Sequence, residues 1–264
     1  MSTPQLPSDV RATAQRAVRL IDERLPGYLD GMYLHGSLCW GEYFDDSDID
    51  FVATTTRRPN ETDIAKLQQI HRDLPDHFDG FYVPTTQLAE DPSVLPVHPG
   101  VLHGKFTVAH HCDANQVTWQ ELAERGITVH GPDAGELDIF TSDTVLELNT
   151  RTNLEGYWLP RLQGLVDTPD AGISPREAAW SVLGVLRLHH ALTQHAITSK
   201  SGAGRWGLEA MDERHRPVIE HALAWREEGR DDGAFADDAA RQSVTVDLMS
   251  DVLGQHDLHP TDTP

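Results

Sequence analysis

Asp48 and Asp50 stand one residue apart in Asp48-Ile49-Asp50-Phe51-Val52-Ala53, a run whose alternating faces read as a β-strand. Side chains two apart on a strand share a face, so both carboxylates aim at one spot and repel unless a divalent cation lies between them. Hard oxygen donors so arranged suit Mg²⁺, normally held by one or two carboxylates together with substrate phosphates. About ten residues upstream, Leu34-His35-Gly36-Ser37 ends another strand candidate. The missing Cβ of Gly36 lets a phosphate approach the backbone, and the short helix expected after Ser37 offers its first amides to an anion. Asp79, opening the next strand candidate, is the third carboxylate that would complete a two-metal site for phosphoryl or nucleotidyl transfer. It is also placed to take the proton of an attacking hydroxyl. Taken singly, Gly-Ser is an ordinary turn, the acidic run a solvated loop and Asp79 a strand-start cap. Strand, turn, spacing and the apolar residues after the acids jointly specify the metal-and-phosphate reading.

The elements that must position these groups follow from periodicity. Val10, Ala14, Ala17, Val18, Ile21 and Leu25 recur at helical spacing, with Ser8 or Asp9 as N-cap and Pro26-Gly27 as the stop. Strands are expected over Tyr28–His35, Asp48–Ala53, Asp79–Val83, Phe106–His111 and Ile127–Val129, and helices over Glu61–Asp76 and Thr118–Arg125. The proline-spaced stretch Pro84–Pro99 reads as a long loop. Beyond about Thr141 strand patterns cease, and Leu146–Leu165, Pro175–His195, Leu208–Glu228 and Ala234–Leu253 are amphipathic helical windows, followed by a polar tail from Gly254 expected to fray. The expected architecture is an α/β domain, 1–145, with a mixed sheet and flanking helices, followed by an all-α helical bundle, 146–264.

Composition narrows the partners. The chain has 264 residues, with 42 acidic against 21 basic side chains and a formal charge of −21, which repels polyanions and disfavours nucleic acid. The same surface attracts metal ions and small polycations. Only Lys66, Lys105 and Lys200 are lysines, so a lysine at a functional spot stands out. Cys39 and Cys112 are too few for a disulfide framework, and neither a signal-peptide core nor a run of about 18 apolar residues occurs. A cytoplasmic, monomeric protein without membrane contact is expected. His110-His111-Cys112-Asp113 lacks the spacing of a zinc site, and His189, His190 and His195 do not share a face and read as helix-surface histidines.

At Gly36-Ser37 and Asp48-Ile49-Asp50 the sequence resembles the polymerase-β-type nucleotidyltransferase superfamily. More closely it resembles the aminoglycoside adenylyltransferases acting on streptomycin and spectinomycin, through Gly126-Ile127-Thr128-Val129-His130-Gly131-Pro132 and, farther on, Arg187, Lys200, Trp206 and Pro217-Val218-Ile219. The resemblance implies ATP as co-substrate and two Mg²⁺ ions. It places the triphosphate at Gly36 and Ser37, the metal at Asp48 and Asp50, and the catalytic base at Asp79, where the family carries a glutamate one methylene longer. Arg187 and Lys200 match nucleotide-binding positions of the helical domain, and Glu177, with Glu155 and Asp170, the acidic positions that take a cationic drug. The adenine-stacking aromatic has no match: Arg226 occupies its place, next to Trp225. A protein acceptor for the same chemistry, or a non-catalytic nucleotide-binding module, remains open at this stage.

Overall fold

The structure is a computed structural model that describes residues 6–45, 47–110 and 114–260, so 111–113 of the His-His-Cys-Asp run lie outside the described residues. Helix α1 (Ser8–Arg24) buries Val10, Ala14, Ala17 and Ile21, the stripe the periodicity predicts, but Pro7 precedes it and Ser8 is already helical, so neither Ser8 nor Asp9 caps it. Strands β1 (Leu29–Leu34) and β2 (Ile49–Thr55) flank a 3₁₀ turn over Gly36–Trp40. Asp48 lies one residue ahead of β2, not inside it. Helix α2 (Glu61–His71) starts on an Asn60/Asp63 capping box and stops short of Asp76. Pro75 bars a helical Leu74, and the buried His71 ring is fixed against the Tyr82 hydroxyl at 2.8 Å.

Strand β3 (Phe78–Pro84) is followed by β4 (His98–Leu102), β5 (Lys105–His110), helix α3 (Gln116–Arg125) and β6 (Ile127–His130). The expected loop Pro84–Pro99 instead holds two 3₁₀ turns and runs into β4, whose pattern Pro99 conceals. Proline is tolerated there because the β4–β5 register shifts between His98 and Gly100. The sheet order is β5-β4-β3-β2-β1-β6; β2 and β3 run parallel and the other pairs antiparallel. One face carries Phe51, Phe78 and Tyr82 with the α1 and α2 residues, and the other carries Val52, Phe81 and Val83 with Trp119 and Leu122 of α3. By alternation Asp50 and Asp79, which pair in register, belong to the α3 face.

The remainder is helical. The window Leu146–Leu165 is α4 (Asp143–Asn153), a π-helical turn over Leu154–Trp158 and α5 (Leu159–Asp167), the break falling where Pro160 lacks an amide to donate. Helix α6 (Pro175–Gln194) is central, burying Val182, Leu183, Val185 and Leu186 among residues of its neighbours. The window Leu208–Glu228 is the end of α7 (Lys200–Ala210), a 3₁₀ turn capped by Asp212 and then α8 (Arg216–Glu228) with Pro217 in its first turn. Helix α9 (Asp238–Gly254) begins later than Ala234 because Asp237 caps it, accepting from the Ala240 amide at 2.8 Å. The tail is docked rather than frayed over 254–260: His256 Nε2 lies 2.9 Å from His189 Nδ1, and Leu258 packs against the helical core. His189 is therefore a buried residue, not a surface one, and burial with the neighbouring His256 and His190 lowers its pKa to about 4. Contacts divide the chain into two units, Met1–Tyr43 with Ser47–Ser142, and Phe44–Asp46 with Asp143–Pro264.

Candidate active site

Beyond β1 the chain turns at Gly36, whose φ of +62° disfavours any side chain and whose missing Cβ is replaced in space by the Asp50 carboxylate. Glu121, buried on α3, holds this turn from behind. Its Oε2 accepts the Gly36 amide at 3.1 Å and its Oε1 the Trp40 indole N–H at 3.1 Å, and His35 Nδ1 lies 3.5 Å from Oε2. The Arg125 guanidinium covers the Trp40 ring at 3.8 Å. The Gly36 amide is thus engaged by a carboxylate, and Gly36 serves the site by permitting close approach. Cys39 lies beneath, its thiol donating to the Gly36 carbonyl at 3.1 Å; burial, reinforced by the Glu121 charge, pushes its pKa well up, so it stays protonated. The sequence marks Glu121 only weakly, as an acid on the stripe it shares with Thr118, Trp119 and Leu122.

The carboxylates converge in part. Ligand atoms of Asp48, Asp79 and His103 all lie within 4.8 Å of one another. Asp79 is buried, its Oδ1 accepting the His103 backbone amide at 2.8 Å and its Oδ2 lying 3.6 Å from His103 Nδ1. Asp50, paired in register with Asp79, keeps its carboxylate against Gly36. Two carboxylates and an imidazole form a donor set that fits a divalent cation. His103, at the exposed tip between β4 and β5, had no sequence signal beyond its His-Gly turn.

In the helical unit the expected residues occupy helix starts and surfaces. Lys200 is the first residue of α7, capped by Ser199, and its Nζ lies 4.2 Å above the half-exposed Trp180 ring. Trp180 donates its indole N–H to the Tyr157 hydroxyl at 3.2 Å, on the π-helical turn that also carries the exposed Glu155. Glu177, Trp180 and Arg187 share one face of α6. Glu177 forms a capping box with Ser174, whose amide and hydroxyl reach Oε2 at 2.9 and 2.7 Å; these donors hold its carboxyl below the usual range. Asp170 is exposed between α5 and α6. Trp225 packs on the core, and Arg226 lies over the Phe44 ring at 5.4 Å.

A mixed six-stranded sheet with a Gly-Ser turn beside paired acids, followed by a helical unit, is the architecture of a nucleotidyltransferase-like fold. Residues 162–250 match the family model of the aminoglycoside adenylyltransferase C-terminal domain. Over that stretch, about a third of its length, the chain is similar to the C-terminal domain of aminoglycoside adenylyltransferases. Its fold is similar to the crystal structure of spectinomycin adenyltransferase AAD(9) from Enterococcus faecialis with ATP and spectinomycin. The TM-score is 0.67 at 13% identity, over 90% of this chain and 98% of that one, a likeness that carries the fold. No curated protein matches the chain in sequence. Among the described residues no helix is long and apolar enough to cross a membrane.

Proposed function

We propose that this enzyme transfers AMP from ATP to a hydroxyl of a cationic aminoglycoside or aminocyclitol of the spectinomycin or streptomycin type, conferring resistance, as a monomer in the cytoplasm. The observation that carries the reading is the convergence of Asp48 and Asp79 beside the Gly36-Ser37 turn, in a chain whose second part matches an aminoglycoside adenylyltransferase domain. The substrate class is taken from that family and from the ligands of the similar structure. Asp48, Asp50 and Asp79 would hold Mg²⁺, which when bound neutralises charge on the triphosphate and the reacting oxygens.

The residues of the chain then divide the work. Ser37 steadies the triphosphate. Asp79 accepts the proton of the drug hydroxyl as its oxygen bonds to the α-phosphorus, and the bond from that phosphorus to the pyrophosphate oxygen breaks. Pyrophosphate departs with its charge met by Lys200, which joins a full positive charge to the open amides at the start of α7. Arg187 contributes to the nucleotide, and Glu177 and Glu155 meet cationic groups of the drug through charge-assisted contacts. The net charge of −21 draws a polycation toward the protein at low ionic strength. The test is incubation with ATP, Mg²⁺ and a panel of aminoglycosides, followed by mass spectrometry. An added AMP on spectinomycin or streptomycin, with pyrophosphate released, is expected; no adduct on any member of the panel would overturn the reading.

A further inference from the structure

We propose that His103 supplies a nitrogen ligand, through Nδ1, to the divalent cation held by Asp48 and Asp79; the inference rests on the nucleotidyl-transfer reading. Nδ1 stands 3.6 Å from Asp79 Oδ2. Two bonds of about 2.1 Å to one ion put their outer atoms about 3 Å apart at a right angle and about 4.2 Å apart in line. The observed separation falls between these, and the Asp48 carboxylate lies within the same 4.8 Å limit.

The turn that carries the ring argues the same way. β4 and β5 pair from Leu102 to Lys105, leaving a two-residue tip in which His103 has φ +48° and Gly104 φ +70°. Two left-handed residues make the type I′ pattern, for which Asn-Gly or Gly-Gly is the relaxed choice, so a histidine in first place carries strain that either alternative would relieve. The amide hydrogen bond to Asp79 does not explain that choice, because any residue but proline supplies the amide. What histidine adds is the imidazole beside two carboxylates. A set with one nitrogen also changes the ion preferred, because imidazole suits first-row transition ions better than Mg²⁺, so Mn²⁺ should bind more tightly than it does to an all-oxygen site.

His103→Gly is the discriminating variant: it keeps the amide on Asp79, relaxes the turn and removes only the ring. With the full-length protein and Mn²⁺ alone as the probe, pulsed electron paramagnetic resonance should show a directly bound ¹⁴N in the wild type. His103→Gly should lose that coupling and bind Mn²⁺ about tenfold more weakly by calorimetry, with no fall in melting temperature. His103→Asn, which tolerates the same φ and ligates through oxygen if at all, should also lose the nitrogen signal. Mn²⁺ bound with no ¹⁴N coupling, or with the same affinity in both variants, overturns the inference and leaves the transfer reading standing. A nitrogen-coupled ion in a protein that adenylylates no aminoglycoside overturns the transfer reading alone. Absence of Mn²⁺ binding by the wild type overturns the inference together with the metal site.

Discussion

The sheet unit and the helical unit place their candidate residues in opposite ways. In the sheet unit Gly36, Asp50 and Asp79 are held by partners distant in sequence: Glu121 behind Gly36, Asp50 against Gly36, the His103 amide on Asp79. In the helical unit Glu177, Lys200 and Trp180 stand at helix starts or on a half-exposed face, in contacts near the surface. A buried polar network costs far more when one member is lost than an exposed pair does, because the remaining groups have no water to turn to. Substitution of a buried, hydrogen-bonded member of the first unit should therefore move stability and activity together, whereas at exposed positions such as those of the second unit the two should separate.

Acid offers the broadest test of this contrast. Burial lowers the pKa of His71 and of His98 in the sheet unit to about 4, as burial does for His189 in the helical unit. In each case the unfolded chain binds a proton that the folded one refuses, so stability rises with pH across this window. The contribution is complete above pH 6.5, the ordinary histidine value, and is lost as pH falls toward 4. Each histidine contributes about 1.4 kcal/mol per pH unit there, and burial lowers His256 of the helical unit in the same direction, so both units should lose stability as the pH falls. Urea unfolding between pH 7 and pH 4 measures the slope; a flat profile from 6.5 to 5 would contradict the buried, neutral state of these rings.

The next largest effect falls on the chemistry. Asp79→Asn should lower turnover at least about a thousandfold, roughly 4 kcal/mol of barrier, measured by pyrophosphate release. Glu121 comes after it. Glu121→Ala strands the Gly36 amide and the Trp40 indole in a buried site and should cost about 3 kcal/mol in chemical denaturation, with a raised KM for ATP. Glu121→Gln keeps an acceptor for one of those donors and should cost less. Equal effects of the two substitutions would mean that the cavity, and not the hydrogen bonding, decides.

Which parts of the molecule were legible in the sequence follows from the range of the interactions. Most strands of the sheet and the helical second part could be read because alternation and helical spacing are local, and so could the pairing of acids with a Gly-Ser turn. Glu121 reaches Gly36 across 85 positions and the His103 amide reaches Asp79 across 24, separations that leave no mark on local pattern. Strand β4 was concealed by Pro99, which reads as loop until its seat at a register shift is seen. The buried state of His189 depends on His256 folding back from a tail whose composition reads as solvent.

Glu177 gives the smallest effect and the sharpest separation. Its Oε2 is engaged twice by Ser174, while Oε1 has no hydrogen-bond partner among the described residues; on the proposed function it is the oxygen a cationic drug would meet. Ser174→Ala removes the cap and should lower stability by about 1 kcal/mol with little change in the drug's KM. Glu177→Gln keeps an amide that can still accept from Ser174, so the melting temperature should barely move, but it removes the charge and should raise the drug's KM about tenfold at unchanged kcat. The capped carboxylate also predicts direction with pH: the Ser174 donors hold the ionised form, so the cap's contribution is present above the ordinary glutamate range and is lost as pH falls below it. If Ser174→Ala and Glu177→Gln shift the same quantity, Glu177 is a helix cap only, and the cationic groups of the substrate must be met elsewhere on the helical unit.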